Sequence, residues 1–291
     1  MGVNVTPSPL VWVLRTSWVA LLLASPWHVA AHHSTSVNIV LIAGGWILGS
    51  AGLLSSLALT AVGLTVVRLV TLPMVVLVAS QLSYGIADDN ATFSMTVSLV
   101  AVACAAVLAC TPSIATAMVQ AGAYGDESRF PLRTPVPYVA PAALVHVGYT
   151  AAVVAGPLLL AARSYLAGVI VTVVAIAASF KVPRRLHQLS RRWLVIVPAG
   201  VVVHDHMVLA ETFMVRRANL ADVRASDVPG DEADLTGGVL GRRLVISLTA
   251  PDKVVLSAIT RRMLGTTEAL HVSSFAVAPR HSDAVVARLR K

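Results

Sequence analysis

Charge is what this sequence has least of. Only 12% of its 291 residues are Asp, Glu, Lys or Arg, about half the share of an ordinary soluble domain. Acids are scarcer than bases, 14 against 22, which leaves a net charge of +8. Aromatic residues make up 5% and there are 2 cysteines. With 56% hydrophobic residues, the charge deficit excludes a disordered chain and argues against a wholly soluble one. Cys104 and Cys110 are too few for a disulfide framework. On one helix, at about 100° per residue, they also face different directions. There is no phosphate-cradling glycine loop, zincin motif, nucleophile elbow or catalytic carboxylate pair. No motif therefore points to an enzyme, and no cofactor is expected.

The few charges are unevenly placed. The stretches between Arg15 and Arg68, Arg68 and Asp88, Asp89 and Asp126, Arg133 and Arg163, and Arg163 and Lys181 contain no Asp, Glu, Lys or Arg. A bilayer core needs about 20 apolar residues per helix, so the first stretch holds two spans and each of the others one. The expected spans are 9–31, 37–57, 60–83, 93–117, 137–161 and 163–181, all helical because backbone in lipid must satisfy itself. Pro73 is placed to kink the third. The domain division expected is a transmembrane bundle over 1–181 and a soluble domain over 182–291.

Orientation follows the Lys and Arg of the short loops. Arg129, Arg133, Lys181, Arg184, Arg185, Arg191 and Arg192 fall on one side and Arg163 on the other, beside the acids Asp88 and Asp89. The reading is a multi-pass protein of the cell membrane with both termini cytoplasmic. "RTSWVALLLASPWHVAA" also has the make-up of a cleaved signal peptide, which would leave five spans. The opening "MGVNVT" matches a myristoylation pattern, read here as chance.

Beyond Lys181 the composition changes. "RWLVIV", "PAG" and "VVVHD" read as strand, tight turn and strand. "ETFMVRR", "RRLVISL", "KVVLSAI" and "LHVSSFAV" are further β-branched runs, with turns expected at "APDKV" and "LTGGVLG". "RHSDAVVARLRK" reads as a helix capped by Ser282, with Val285, Val286 and Leu289 on one apolar face. A half-open barrel or sandwich plugged by one C-terminal helix resembles the bacterial pleckstrin-homology-like domains. The resemblance rests on "RRWLVIVPAGVVVHD" directly after a span and on the strand run ending in "SDAVVARLRK". The whole chain resembles uncharacterised multi-span membrane proteins of actinobacteria, and its 19 Arg against 3 Lys suit such a source. The resemblance implies binding or assembly, not chemistry.

Six candidate groups remain. Arg184, Arg185, Arg191 and Arg192 stand beside the inner leaflet, where each basic side chain gains roughly 1 kcal/mol from anionic lipid. Equally, they are topology determinants. Arg68, inside the third span, is a functional candidate by its depth, and no intramembrane acid stands ready to pair with it. Asp126, Glu127, Arg129 and Arg133 crowd one inner loop that is able to dock on the soluble domain or a partner. His28, His32 and His146, with His33 nearby, invite a haem or metal reading against too few ligands. The same holds for His204 and His206 with Asp205 and Glu211. Gly45 and Gly49 form a small-xxx-small pair that allows close helix approach, including a homo-oligomer. Nucleic acid is not an expected partner, because the basic residues sit next to a membrane without interleaved aromatics.

The expected function is a non-enzymatic membrane scaffold whose soluble domain binds a protein partner or anionic headgroups. The alternatives are a carrier or lipid-handling protein gripping an anion with Arg68, and a His-ligated haem or metal protein.

Overall fold

The computed structural model describes residues 8–25, 27, 33–87, 93–265 and 269–290. They form two compact units. One takes the described residues of Thr6–Met118 and Ala143–Leu186, and the other those of Val119–Ala142 and His187–Lys291.

The helical unit runs through α1 (Pro9–Ala24), α2 (Thr35–Leu57), α3 (Ala61–Ala87), α4 (Phe93–Cys110), α5 (Pro112–Gln120), α6 (Val136–Ala161), α7 (Tyr165–Ser179) and α8 (Val182–Ser190), and the first turns of α6 and the end of α8 belong to the other unit. Among the described residues, five helical stretches are long and apolar enough to cross a bilayer: α2, α3, α4, α6, and the run Tyr165–Ser190 that joins α7 and α8 through one turn. In α1 the described helix has 16 residues, about 24 Å, short of the roughly 30 Å hydrocarbon core. The rest of the first expected span, residues 26 and 28–31, lies outside the described residues, as do His28, His32, Asp88, Asp89 and the opening "MGVNVT".

The fourth expected span, 93–117, is corrected. Pro112 has no N–H to continue α4 and instead opens α5 at its first position. Thr111 closes α4 by donating from both N and Oγ1 to the Leu108 carbonyl, at 3.0 and 2.8 Å. Pro73, by contrast, stays inside a continuous α3. The buried core of the unit joins Leu14, Trp18, Leu64, Met74, Val102 and Met118 from α1, α3, α4 and α5. In its most apolar window α3 is 56% buried, whereas α6 is 11% buried. So α3 is the centre of the bundle, and α6 keeps most of its surface for lipid.

The second unit holds two four-stranded sheets. The first, in the order β1-β2-β3-β4, joins β1 (Ser128–Pro131), β2 (Trp193–Val197), β3 (Gly200–His204) and β4 (Phe213–Arg216), all antiparallel. The second, in the order β5-β7-β8-β6, joins β5 (Leu220–Ser226), β7 (Arg243–Val255), β8 (Ala269–Val277) and the two-residue β6 (Ala233–Asp234), which lies parallel to β8. Alternate residues of both sheets, among them Leu194, Val201, Leu244 and Phe275, make one core. Val285 of α10 (Ser282–Leu289) is fully buried in that core, and Val286 and Leu289 pack against it.

Three local expectations change. No turn occurs at Asp252–Lys253: β7 runs through it, with its register to β8 shifting between Ser247 and Asp252. Such an irregularity bends a strand without ending it. "SAI" leaves the sheet, because Ser257 accepts from Thr260 N and caps α9 (Ala258–Leu264). Ser282 does not cap α10; its hydroxyl points to the Pro279 carbonyl at 3.4 Å, and His281 occupies the cap position.

The largest change concerns the loop that carries Asp126, Glu127, Arg129 and Arg133. Residues 128–131, assigned by sequence to the transmembrane region, are a strand of the first sheet, paired from Ser128↔Ile196 to Pro131↔Trp193. Beyond it, Arg133 N donates to Ala278 O at 2.8 Å and Arg280 N to Pro131 O at 2.9 Å. The segment thus bridges the ends of both sheets.

Candidate functional site

The hairpin register decides the fate of Arg192. Trp193 faces His204 across β2 and β3, so the next pair outward is Arg192 and Asp205. Both side chains are 1% exposed. Arg192 Nε donates to Asp205 Oδ1 at 2.7 Å and Nη2 to Oδ2 at 2.5 Å, a two-pronged fit of guanidinium to carboxylate. Arg192 Nη1 donates to the Arg133 carbonyl at 2.6 Å, and Asp205 Oδ1 accepts from Met207 N at 3.1 Å. Grouping Arg192 with the lipid-facing arginines is therefore corrected: it is an internal clamp between the hairpin and the loop before α6. Arg184, Arg185 and Arg191 do stay exposed.

Three other loop residues, Glu127, Arg129 and Arg133, find partners within the same unit. Arg129 Nε donates to Glu127 Oε1 at 2.6 Å, and the Arg129 amide donates to Gln120 Oε1 at 2.7 Å. The Arg129 guanidinium lies 5.6 Å from the Trp193 ring centre. That hydrogen bond from Arg129 is the main reason the Glu127 carboxyl titrates below its usual range. Arg133 donates to the carbonyls of Leu240 and Arg242. Asp126 is exposed.

On the same face of the first sheet, His204 stacks on Trp193 at 5.2 Å and meets His206 edge-on at 4.3 Å. Its Nδ1 is 3.3 Å from Thr212 Oγ1, and its Nε2 is buried without a partner. Burial first, then the neighbouring His206, pushes the His204 pKa below the usual histidine value. Above about pH 6.5 the ring is neutral folded or unfolded and its protonation contributes nothing. Below that, the unfolded chain takes the proton before the folded one does, so stability falls with pH. Thermal unfolding of the detergent-solubilised protein from pH 8 to 5 should show that fall, and His204→Gln should flatten it. Equal slopes would remove His204 from the account. Among the described residues no group of three or more His, Cys, Asp and Glu gathers for a metal.

Polar side chains in the helical unit share one task. Arg68 Nε donates to Ala109 O at 2.9 Å, one of the last carbonyls of α4, which have no donor of their own. Arg15 reaches Ser56 O and Leu57 O at the end of α2, at 3.2 and 3.3 Å. Pro73 leaves the carbonyl four residues back without its helical N–H. That carbonyl is Leu69 O, and His146 Nε2 lies 3.4 Å from it. In lipid no water would serve these groups, and cations suit helix C-termini. Sequence reading found no acid within a span to set opposite Arg68; the acceptor of its Nε, Ala109 O, is backbone. Cys104 and Cys110 are free thiols.

The Gly45–Gly49 pair is occupied within the chain. A Cβ on Gly45 would overlap the Trp27 ring, and one on Gly49 would fall 2.7 Å from Leu22 Cδ2.

No family model, curated protein or solved structure matches this chain.

Proposed function

We propose that the protein is a non-enzymatic, multi-pass scaffold of the cell membrane. Its cytoplasmic, pleckstrin-homology-like domain engages a protein partner or anionic lipid headgroups. The observation that carries the reading is the exposed basic set Lys181, Arg184, Arg185 and Arg191 on and beside α8. It follows an apolar run directly, and Val182, Leu186 and Leu189 recur at helical spacing between its members, as in a helix that lies at an interface. The β1–β2 pairing supports the topology. A hydrogen-bonded sheet does not continue across lipid, so residues 128–131 and 193–197 lie on one side, and the two spans between them, α6 and the α7–α8 run, bring the chain back to it. Two sheets closed by α10 support the domain resemblance.

Replacing Lys181, Arg184, Arg185 and Arg191 together by glutamine should leave the protein in the membrane. Copurifying anionic phospholipid, read by native mass spectrometry, should drop at least about tenfold, since each charge contributes roughly 1 kcal/mol near the surface. Unchanged lipid retention would refute the headgroup role.

A further inference from the structure

A sheet that does not close leaves its outermost strand with amides and carbonyls on one side unpaired, and such an edge is a template for another extended chain. β5 is an edge of this kind, since the second sheet runs β5-β7-β8-β6. Its ladder to β7 is regular from Asp222↔Ser247 to Ser226↔Arg243. Among the described residues no other backbone hydrogen bond reaches 222–226. The edge is also open in space. A concavity of about 260 Å³ is lined by residues 220–223 of β5 together with Leu289 and Arg290 of α10. Successive residues of a strand face opposite ways. A hollow that touches several in a row therefore follows the backbone edge and not one face of the sheet.

The side chains of β5 indicate what fits beside it. Val223 packs against the core, so its neighbours Asp222 and Arg224 point outward, and both are exposed. Neither has an ion-pair partner among the described residues. An acid and a base two positions apart on one face match their own copy turned end for end. With an antiparallel partner centred on Val223, Asp222 stands opposite Arg224 of the second copy, and Arg224 opposite Asp222 of that copy. A centre on any other residue of the regular ladder breaks both contacts. Successive residues of an antiparallel strand aim their backbone groups to opposite sides, and this centre closes a ladder with either set: Val223 with its own copy, or Asp222 with Arg224. The flanks agree in sign. Arg216 and Arg217 lie just before the strand and Asp227 just after it, all exposed, so the same reversal sets a basic start against an acidic end.

We propose that β5 is a self-pairing edge, and that two copies of the chain join through it as an isologous, two-fold dimer. Opposite charges facing across strands are favourable and like charges unfavourable, so the Asp222–Arg224 pairs fix the register and the two sheets become one. The pairing needs neither lipid nor a foreign protein.

The full chain in density-matched detergent, followed by sedimentation equilibrium, should dimerise reversibly. Hydrogen–deuterium exchange in the peptide covering β5 should slow as the dimer fills. Asp222→Arg and Arg224→Asp each put two like-charge contacts in place of two opposite ones, and each should raise the dimer Kd about fourfold or more. The two reversals together restore the match and should return the Kd to its native value. Both positions are exposed, and unchanged thermal unfolding of each variant checks that the fold is kept. A chain that stays monomeric would overturn the proposal; β5 amides protected in native membranes but not after purification would then assign the edge to another protein. A dimer indifferent to either single reversal would put the interface elsewhere. A double reversal as weak as the singles would overturn the register.

Discussion

Asp205→Ala is expected to destabilise the β-rich unit by about 3–5 kcal/mol, the cost of leaving one partner of a buried ion pair alone. Arg192 cannot escape to water, because it is 2% exposed and fixed at the start of β2 by the hairpin. It would keep its charge in a space shaped for two. The loss spreads beyond the pair. Asp205 also accepts from Met207 N, and Arg192 also holds the Arg133 carbonyl, so β1 and the segment leading into α6 would loosen with it. The surface pair Arg242–Asp283, with side chains 52% and 77% exposed, sets the contrast: pairs of that kind are worth about 0–1 kcal/mol. Denaturant titration of the detergent-solubilised protein, with exchange read locally in β2 and β3, measures the difference. A loss below about 1 kcal/mol would mean that water or a rearranged neighbour already compensates Arg192. Arg192→Met combined with Asp205→Leu should recover most of the loss, because desolvating the pair offsets much of its attraction.

That pair also shows what the sequence discloses. Reading "PAG" as a three-residue turn sets Arg192 opposite His206. The turn is in fact Pro198–Ala199, with Gly200 paired to Val197, and that one-residue change of register brings Arg192 opposite Asp205, while the run of basic residues around Arg192 pointed to lipid. The apolar runs located the candidate spans for an equally plain reason: each is too long and too neutral for water. The break at Pro112 was legible as well, since proline lacks the N–H that α4 would need. The role of β1 was not legible. Four residues, Ser128–Pro131, carry no alternation strong enough to announce a strand, and their partner β2 lies more than sixty positions away. Ala109 O, which Arg68 Nε meets, and Leu69 O, which His146 meets, were hidden for a related reason. Both are backbone carbonyls, which every residue owns, so no side-chain pattern marks them. The proline at position 73 was the one available clue, because it frees the Leu69 carbonyl that His146 meets.

In the helical unit a large effect is expected at Gly52. Alanine is the better helix former by about 1 kcal/mol, so propensity alone would make Gly52→Ala stabilising. Packing reverses the sign. A Cβ on Gly52 would sit 2.6 Å from three ring atoms of Trp18, and Trp18 is fully buried. An indole is rigid, so the ring or a whole helix must move, at an overpacking cost of about 1–3 kcal/mol; the larger Gly52→Val should cost more. Helices in lipid gain little from hydrophobicity on meeting each other, and close packing is what joins them. The ring-in-groove fit of Trp18, together with Leu22 at Gly49 and Trp27 at Gly45, therefore holds α1 to α2. Gly148→Ala in α6 is the control, because a Cβ there meets nothing within 4 Å, and it should be neutral or stabilising. Thermal aggregation of the two variants in detergent should differ by several degrees, with Gly52→Ala the lower. Trp18→Leu in the Gly52→Ala background should restore part of the loss, giving a coupling of at least about 0.5 kcal/mol in the double-mutant cycle. Independent effects would show that α1 does not seat in the glycine groove, and the groove would then be open to a second copy of the chain.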